Sequence, residues 1–243
     1  MAEKNLVTSP PVHSDDVIVK ARGFWADYSK PIMYVGGIVI LLLAGWFGYR
    51  NLVKAPKEKK ASEIIFPAEN LFDKMATAGF NKDSVNIVLN GGIADGMNVT
   101  GLLKIMNTYS GTDAANRAAY MTGASYLHIK EFDKAIKYLK EFDANGATQV
   151  QSKAYIMLGH AYAEQKKTDD ALTYYKKAAS VVNEKDEALG GDALLMAASY
   201  ADATGKSKEA IGLYQELKNK YPTNTAVKSG DVDKYLAKLG ETN

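Results

Sequence analysis

Few residues in this sequence have the types and spacings that acid–base, nucleophilic or metal chemistry requires. The chain has no cysteine, which excludes disulfides, thiolate metal sites and cysteine nucleophiles. Its three histidines, His13, His128 and His160, lie far apart, and none belongs to an HExxH or comparable motif. We therefore predict that the protein is not an enzyme and that it uses no cofactor and no metal.

Carboxylates and glycines also lack the arrangements that mark a reactive or ligand-binding site. Two carboxylate pairs, Asp15-Asp16 and Asp169-Asp170, fall in a polar leader and a predicted turn, where solvation explains them. The glycine-rich stretch 91–96 contains neither calcium-loop spacing nor the Gly-Lys-Ser/Thr of a phosphate-binding loop. It predicts a flexible loop.

One uncharged apolar run, residues 32–49, dominates the N-terminal part of the chain. As a helix its 18 residues would reach roughly 27 Å at 1.5 Å per residue, close to the hydrocarbon core of a bilayer. We predict a single transmembrane helix with aromatic side chains at both membrane interfaces. These interface residues are Phe24, Trp25, Tyr28, Trp46, Phe47 and Tyr49.

Two other interpretations of this run are a buried helix of a soluble domain and a cleaved signal peptide. Apolar residues on every face and polar flanks argue against the first. The long polar leader and the length of the run argue against the second, whose apolar centre spans about 7 to 15 residues. Charge alone leaves the orientation open. Five basic residues at positions 50–60 against four before the run lean slightly toward a cytoplasmic C-terminal domain.

Composition divides the rest of the chain into a leader, two membrane-flanking segments and one folded domain. We predict a disordered tail at residues 1–18, an amphipathic lead-in at 19–31, and a basic juxtamembrane stem at 50–61. Pro56 argues for a helix break in the stem. Residues 62–243 then form the folded domain.

The distribution of charge argues against nucleic acid as a partner. Residues 1–60 carry nine basic and five acidic side chains, whereas the remainder carries 21 basic and 23 acidic ones. A nucleic-acid-binding domain needs a concentrated basic face. We expect the basic residues beside the apolar run to meet lipid head groups instead.

Helical periodicity predicts helices before and after the central part of the chain, residues 113–222. Residues 67–78 predict an amphipathic helix with Pro67 in its first turn and Gly79 after its end. A second helix is predicted at 99–109. Near the C-terminus, residues 232–239 predict a short closing helix that Asp231 caps.

Three windows, which start at Asn116, Ser152 and Gly191, share a pattern of small and aromatic residues at offsets of 36 and 39. The pattern resembles the tetratricopeptide repeat, a helix–turn–helix unit of about 34 residues. Small residues such as Gly159 let the two helices of a unit approach closely, and larger side chains fill the groove toward the next unit. The expected fold is all-α: a transmembrane helix followed by an α-solenoid.

In tetratricopeptide stacks the first helix of each repeat lines a concave groove. Carried onto the three windows, the groove positions are Arg117, Tyr120, Leu127, Lys153, Ile156, His160, Asp192 and Leu195. They lack the Lys/Asn cluster that clamps a C-terminal carboxylate in some such domains, so extended apolar segments or a fixed partner are expected. Alternatively, the helices of residues 67–109 cover several of these side chains.

The layout as a whole resembles the YfgM family of ancillary translocon subunits in bacteria. The likeness is carried by FWADYSK at 24–30, GWFGYR at 45–50 and YSGTDAANRAAYMTG at 109–123. It implies a single-pass protein of the bacterial inner membrane, with a cytoplasmic N-terminus and a periplasmic repeat domain. It also implies association with Sec translocon subunits and contact with newly exported polypeptides or periplasmic chaperones.

That orientation outweighs the weak charge count, because a long following domain can be translocated despite flanking Lys and Arg. The alternative is a cytosol-facing, membrane-anchored receptor for protein import or complex assembly.

Overall fold

A computed structural model describes residues 14–182 and 186–241. The chain divides into two units, with the boundary between Pro56 and Lys57. Of the predicted tail, residues 1–18, the first 13 lie outside the described residues. Its last five residues already belong to the first helix, α1, which spans Ser14–Tyr49.

Residues 14–56 form one unit, in which α1 runs through Pro31 and is followed by a π-helical stretch at Arg50–Lys54. Among the described residues, one helix is long and apolar enough to cross a membrane by length and composition, and none of its apolar window is buried. All six predicted interface aromatics are exposed. The Trp46 ring also lies 5.5 Å from the Arg50 guanidinium.

Helix α2, Ala55–Ala78, contains Pro56 near its start and Pro67 in its interior, so the prediction that Pro67 lies in the first turn of a helix is wrong. Pro56 is the second residue of α2 and lies two residues after the end of the π-helical stretch. There the N–H of Ala55 bonds to the Arg50 carbonyl five residues earlier, which changes the hydrogen-bond register ahead of the proline.

Pro67 lies in the interior of α2, where a proline costs about 3 kcal/mol. Burial on either side of it outweighs that cost, since Ile65 and Met75 are almost completely buried and each such side chain contributes about 1.5–3 kcal/mol. The predicted end of this helix is confirmed. Gly79 has a left-handed φ of 103° and its N–H bonds to the Met75 carbonyl.

The glycine-rich stretch forms an antiparallel hairpin rather than an irregular loop. Helix α3, Lys82–Asn90, leads into β1, Gly92–Ala94, and β2, Met97–Val99, which pair with Ile93 opposite Asn98. Asp95 and Gly96 both have positive φ angles, of 51° and 75°, as a tight two-residue turn between twisted strands requires. Helix α4, Leu102–Thr108, follows.

Three helix pairs and a short closing segment complete the chain. The pairs are α5 Asp113–His128 with α6 Phe132–Glu141, α7 Thr148–Glu164 with α8 Thr168–Ser180, and α9 Glu187–Ala203 with α10 Ser207–Lys220. The closing helices are α11, Thr225–Lys228, and α12, Asp231–Lys238. The residue before α12 is Gly230 in the left-handed region, so Asp231 starts that helix and does not cap it from outside. Apart from the hairpin, the described domain has the predicted all-α, repeat-like fold.

Each pair turns with the same backbone geometry. Lys130, Lys166 and Gly205 hold the left-handed position after the first helix, with φ angles of 65°, 58° and 76°. The next N–H in each turn reaches back to the carbonyl five residues earlier: Glu131 to Tyr126, Lys167 to Tyr162, and Lys206 to Ala201, at 2.9–3.0 Å. This is the Schellman ending of a helix, repeated three times.

The two helices of each pair approach closely where the sequence predicts small residues. A Cβ at Gly123 would lie 2.6 Å from Leu139 Cγ, and one at Gly159 would lie 2.5 Å from Tyr175 Cε1. The third repeat has Ala198 at this position, fully buried. Two clusters of buried residues result, one drawn from residues 61–121 and the other from 139–236.

Candidate functional site

The eight predicted groove residues lie on the first helices of the pairs, α5, α7 and α9. The structure gives them unequal access to solvent. Four are exposed and four are half-buried. The exposed ones are Arg117, Lys153, His160 and Asp192, and the half-buried ones are Tyr120, Leu127, Ile156 and Leu195.

Helix α2 is fixed against the start of α5 by a carboxylate. The Glu58 side chain accepts hydrogen bonds from the N–H groups of Asp113 and Ala114, at 2.8 and 3.3 Å. Thr112 Oγ1 accepts from the Ala115 N–H at 3.1 Å. Three of the N–H groups that a helix leaves unpaired at its N-terminus are thereby satisfied, two of them from a distant part of the chain.

The same helix supplies one wall of a cavity at the groove position of the first repeat. Arg117 Nε donates to Glu69 Oε1 at 2.8 Å, which joins α5 to α2 across the rim. Both residues line a mostly apolar cavity of about 300 Å³. Its lining residues are Glu69, Phe72, Asp73, Arg117, Tyr120, Met121, Phe142 and Val150.

We call it the Tyr120 cavity. Its volume lies at the lower end of the ligand-pocket range of about 300–1,000 Å³ and suits one large apolar side chain. The sequence predicts only Arg117 and Tyr120 among its residues. Phe72 lies in α2, before the repeats, and Phe142 and Val150 lie outside the first-helix positions that the repeat pattern identifies. Tyr120 and Phe142 also contact one another, with ring centroids 5.2 Å apart.

A second concavity of about 320 Å³ lies at the turn ends of α5 and α7. His160 Nδ1 is 2.9 Å from the Tyr175 hydroxyl there. Burial lowers the pKa of His160, which nearby Glu164 partly opposes, and burial raises the pKa of Tyr175. The imidazole and the phenol share a hydrogen bond, and this pair ties α7 to α8.

Asp192 and His128 each contact a residue outside their own helix. Asp192 accepts from Asn224 Nδ2 at 3.0 Å, so it holds the start of α11. His128 stacks on Phe80 with ring centroids 3.7 Å apart, and burial lowers its pKa. Within residues 14–182 and 186–241, no group of three or more His, Asp or Glu side chains could hold a metal ion.

The model of one protein family matches most of this chain. The family is described as a tetratricopeptide repeat-like domain, and the match covers residues 22–234. It therefore includes the apolar run as well as all three helix pairs. No curated protein matches the chain significantly.

Proposed function

Because the chain belongs to the tetratricopeptide repeat-like domain family, we propose that it is a non-enzymatic adaptor that binds extended polypeptide segments. Such domains act as protein–protein interaction scaffolds. The observation that carries the proposal is the Tyr120 cavity, which presents an apolar recess between a repeat and a helix outside the repeats. An apolar side chain of a bound segment would fill it, with the Glu69–Arg117 pair at its rim.

We further propose that α1 anchors this adaptor in a membrane. Its apolar side chains are exposed, including Leu41 at 73 % and Leu42 at 68 %, and water is an unfavourable environment for such a surface. The resemblance of residues 24–50 to YfgM-like translocon subunits supports the bacterial inner membrane. It also supports a cytoplasmic N-terminus and a periplasmic repeat domain.

The same resemblance supports Sec translocon subunits and newly exported polypeptides as partners. Photo-crosslinking in intact cells tests this. A benzophenone amino acid at Tyr120 should crosslink to Sec channel subunits or to exported chains. The same probe at Tyr235, an exposed residue of α12, should give none of these products. Equal products from both positions, or no Sec or exported protein from Tyr120, would refute the partner assignment.

The alternative is a cytosol-facing receptor for import or complex assembly, and the five basic residues at positions 50–60 favour it. Protease added to the outer face of spheroplasts distinguishes the two. A periplasmic domain is digested in intact spheroplasts. A cytosolic domain is digested only after the membrane is broken.

A further inference from the structure

Two stacked tyrosine pairs lie at equivalent positions of the first and second repeats. Tyr126 and Tyr138 have ring centroids 5.6 Å apart and planes 12° apart. Tyr162 and Tyr174 have centroids 5.3 Å apart and planes 10° apart. Each ring of the second pair lies 36 residues after its counterpart in the first, which is the offset of the two repeats.

Packing of a repeat does not require these tyrosines. In the third repeat, at an offset of 39, the equivalent positions hold Ala201 and Leu213, and both are buried. The third helix pair nevertheless forms the same turn and the same close approach. The stacked tyrosine pairs are therefore specific to the first two repeats, where Tyr126, Tyr162 and Tyr174 also contribute to packing.

Lysines cover the rings of both pairs. Every ring has an ammonium group within 6 Å of its centroid, in the range of a cation–π contact. The contacts are Lys134 to Tyr126, Lys137 to Tyr138, Lys140 to Tyr162 and Tyr174, Lys167 to Tyr162, and Lys177 to Tyr174. We call these nine residues the lysine–tyrosine face. Lys140, from the first repeat, also donates to the Tyr162 hydroxyl at 2.7 Å and so connects the two pairs.

Four of these lysines have no carboxylate partner among the described residues. Lys137, Lys140, Lys167 and Lys177 are exposed and enter none of the ion pairs formed there. Several lysines in the C-terminal part of the chain do pair with carboxylates. Examples are Lys218 with Asp233, Lys234 with Asp231, and Lys238 with Asp202, at 2.8–3.1 Å.

We propose that the lysine–tyrosine face binds an acidic polypeptide segment, at a surface separate from the Tyr120 cavity. Carboxylates of the segment pair with Lys137, Lys140, Lys167 and Lys177. The hydroxyls of Tyr126 and Tyr138 donate no hydrogen bond within the described residues, so they are available to the same carboxylates.

The geometry of the rings favours a polypeptide over nucleic acid or a bilayer. Each ring already stacks on its partner and carries an ammonium group, so a nucleobase finds no open ring face on which to stack. Tyr162 is 8 % exposed and the other three rings are half-buried, so they cannot insert into a membrane interface as an aromatic belt does. What the face does offer is charge and hydroxyl donors at its surface.

The test uses the full-length protein in phosphatidylcholine nanodiscs and a fluorescein-labelled deca-glutamate peptide, followed by fluorescence anisotropy at low salt. The variant Lys140→Gln/Lys167→Gln/Lys177→Gln should bind the peptide at least tenfold more weakly. Tenfold corresponds to about 1.4 kcal/mol, which three ion pairs of 0.2–1 kcal/mol each can supply. Far-UV circular dichroism should match the wild type, because the three side chains are exposed.

The matched control is Lys218→Gln/Lys234→Gln/Lys238→Gln, which removes the same net charge from lysines that are already paired. It should weaken binding by less than threefold. An equal loss in both triple variants would attribute binding to net charge and overturn the proposal, as would a failure of the wild type to bind. Competition by single-stranded RNA or phosphatidylglycerol vesicles at lower concentration than deca-glutamate would also overturn it. Tyr120→Ala should leave deca-glutamate binding unchanged, because Tyr120 lines the separate Tyr120 cavity. Failure of the proposal for the lysine–tyrosine face is therefore distinguishable from failure of the proposal for that cavity.

Discussion

A single missing side chain controls how closely the helices of the second repeat approach. A Cβ at Gly159 would lie 2.5 Å from the Tyr175 ring, and that ring is confined by its contacts with His160 and Tyr200. Gly159→Ala should therefore destabilise the protein by about 1–3 kcal/mol through overpacking. Chemical denaturation followed by circular dichroism measures this.

Gly212→Ala is the control, because Gly212 lies in α10 with nothing within 4 Å of the added Cβ. Alanine is the better helix former by about 1 kcal/mol, so this variant should be slightly more stable than the wild type. A stabilising Gly159→Ala would mean that the two helices are not in close contact.

His160 makes stability depend on pH. Burial lowers its pKa below the ordinary value of 6.5, so the unfolded chain takes up a proton at a pH where the folded protein does not. Stability from this group is complete above pH 6.5 and is lost as pH falls through the folded-state pKa. The loss of Tm between pH 7.5 and 5.5 should be smaller in His160→Gln than in the wild type.

His128 shares the direction of this pKa shift, so it contributes to the wild-type loss as well. The quantity to compare is therefore the loss of Tm between pH 7.5 and 5.5 in the wild type and in His160→Gln. An identical pH dependence in the two proteins would contradict a lowered pKa of His160 in the folded protein.

At the scale of elements, the Glu58 carboxylate links α2 to α5 by accepting from the N–H groups of Asp113 and Ala114. Glu58→Ala leaves both groups without that partner and removes a negative charge from a helix N-terminus. Losses of capping contacts cost about 0.5–2 kcal/mol. Hydrogen exchange at residues 113–116 should accelerate, as measured by mass spectrometry.

Glu63→Ala is the matched control, since Glu63 is an exposed residue of the same helix and forms no ion pair among the described residues. It should leave exchange at residues 113–116 unchanged. Equal acceleration in both variants would show that the effect comes from the net charge of α2, not from the carboxylate contact.

The repeat helices could be predicted because their signals are local and recur. Gly123, Gly159 and Ala198 mark the close approaches at the offsets of the three windows. The course of α2 could not be predicted, because a proline rule had to be weighed against burial of Ile65 by residues far along the chain. The hairpin did carry a signal, the Asp95-Gly96 turn, but its three-residue strands are too short to show alternation.

The candidate site could be predicted only in part. Repeat register places Arg117 and Tyr120 on the groove side of α5, but it contains no information about what faces them. Phe72 comes from a helix before the repeats and Val150 from the first turn of the next pair, so only tertiary structure brings them together. The lysine–tyrosine face has a visible 36-residue offset, whereas its cation–π contacts depend on packing between repeats.

For the whole molecule, the proposed membrane anchor separates two roles: α1 would localise the protein, and residues 57–241 would bind its partners. Arginine near the centre of a spanning helix costs about 2.5–3.5 kcal/mol. Ile38→Arg/Leu41→Arg in the middle of the apolar run should therefore release a fraction of the protein from membranes during alkaline carbonate extraction. Leu52→Arg is the control, because Leu52 is 80 % exposed and lies beyond the run. It should stay in the membrane pellet, and release of the wild type itself under these conditions would refute the anchor.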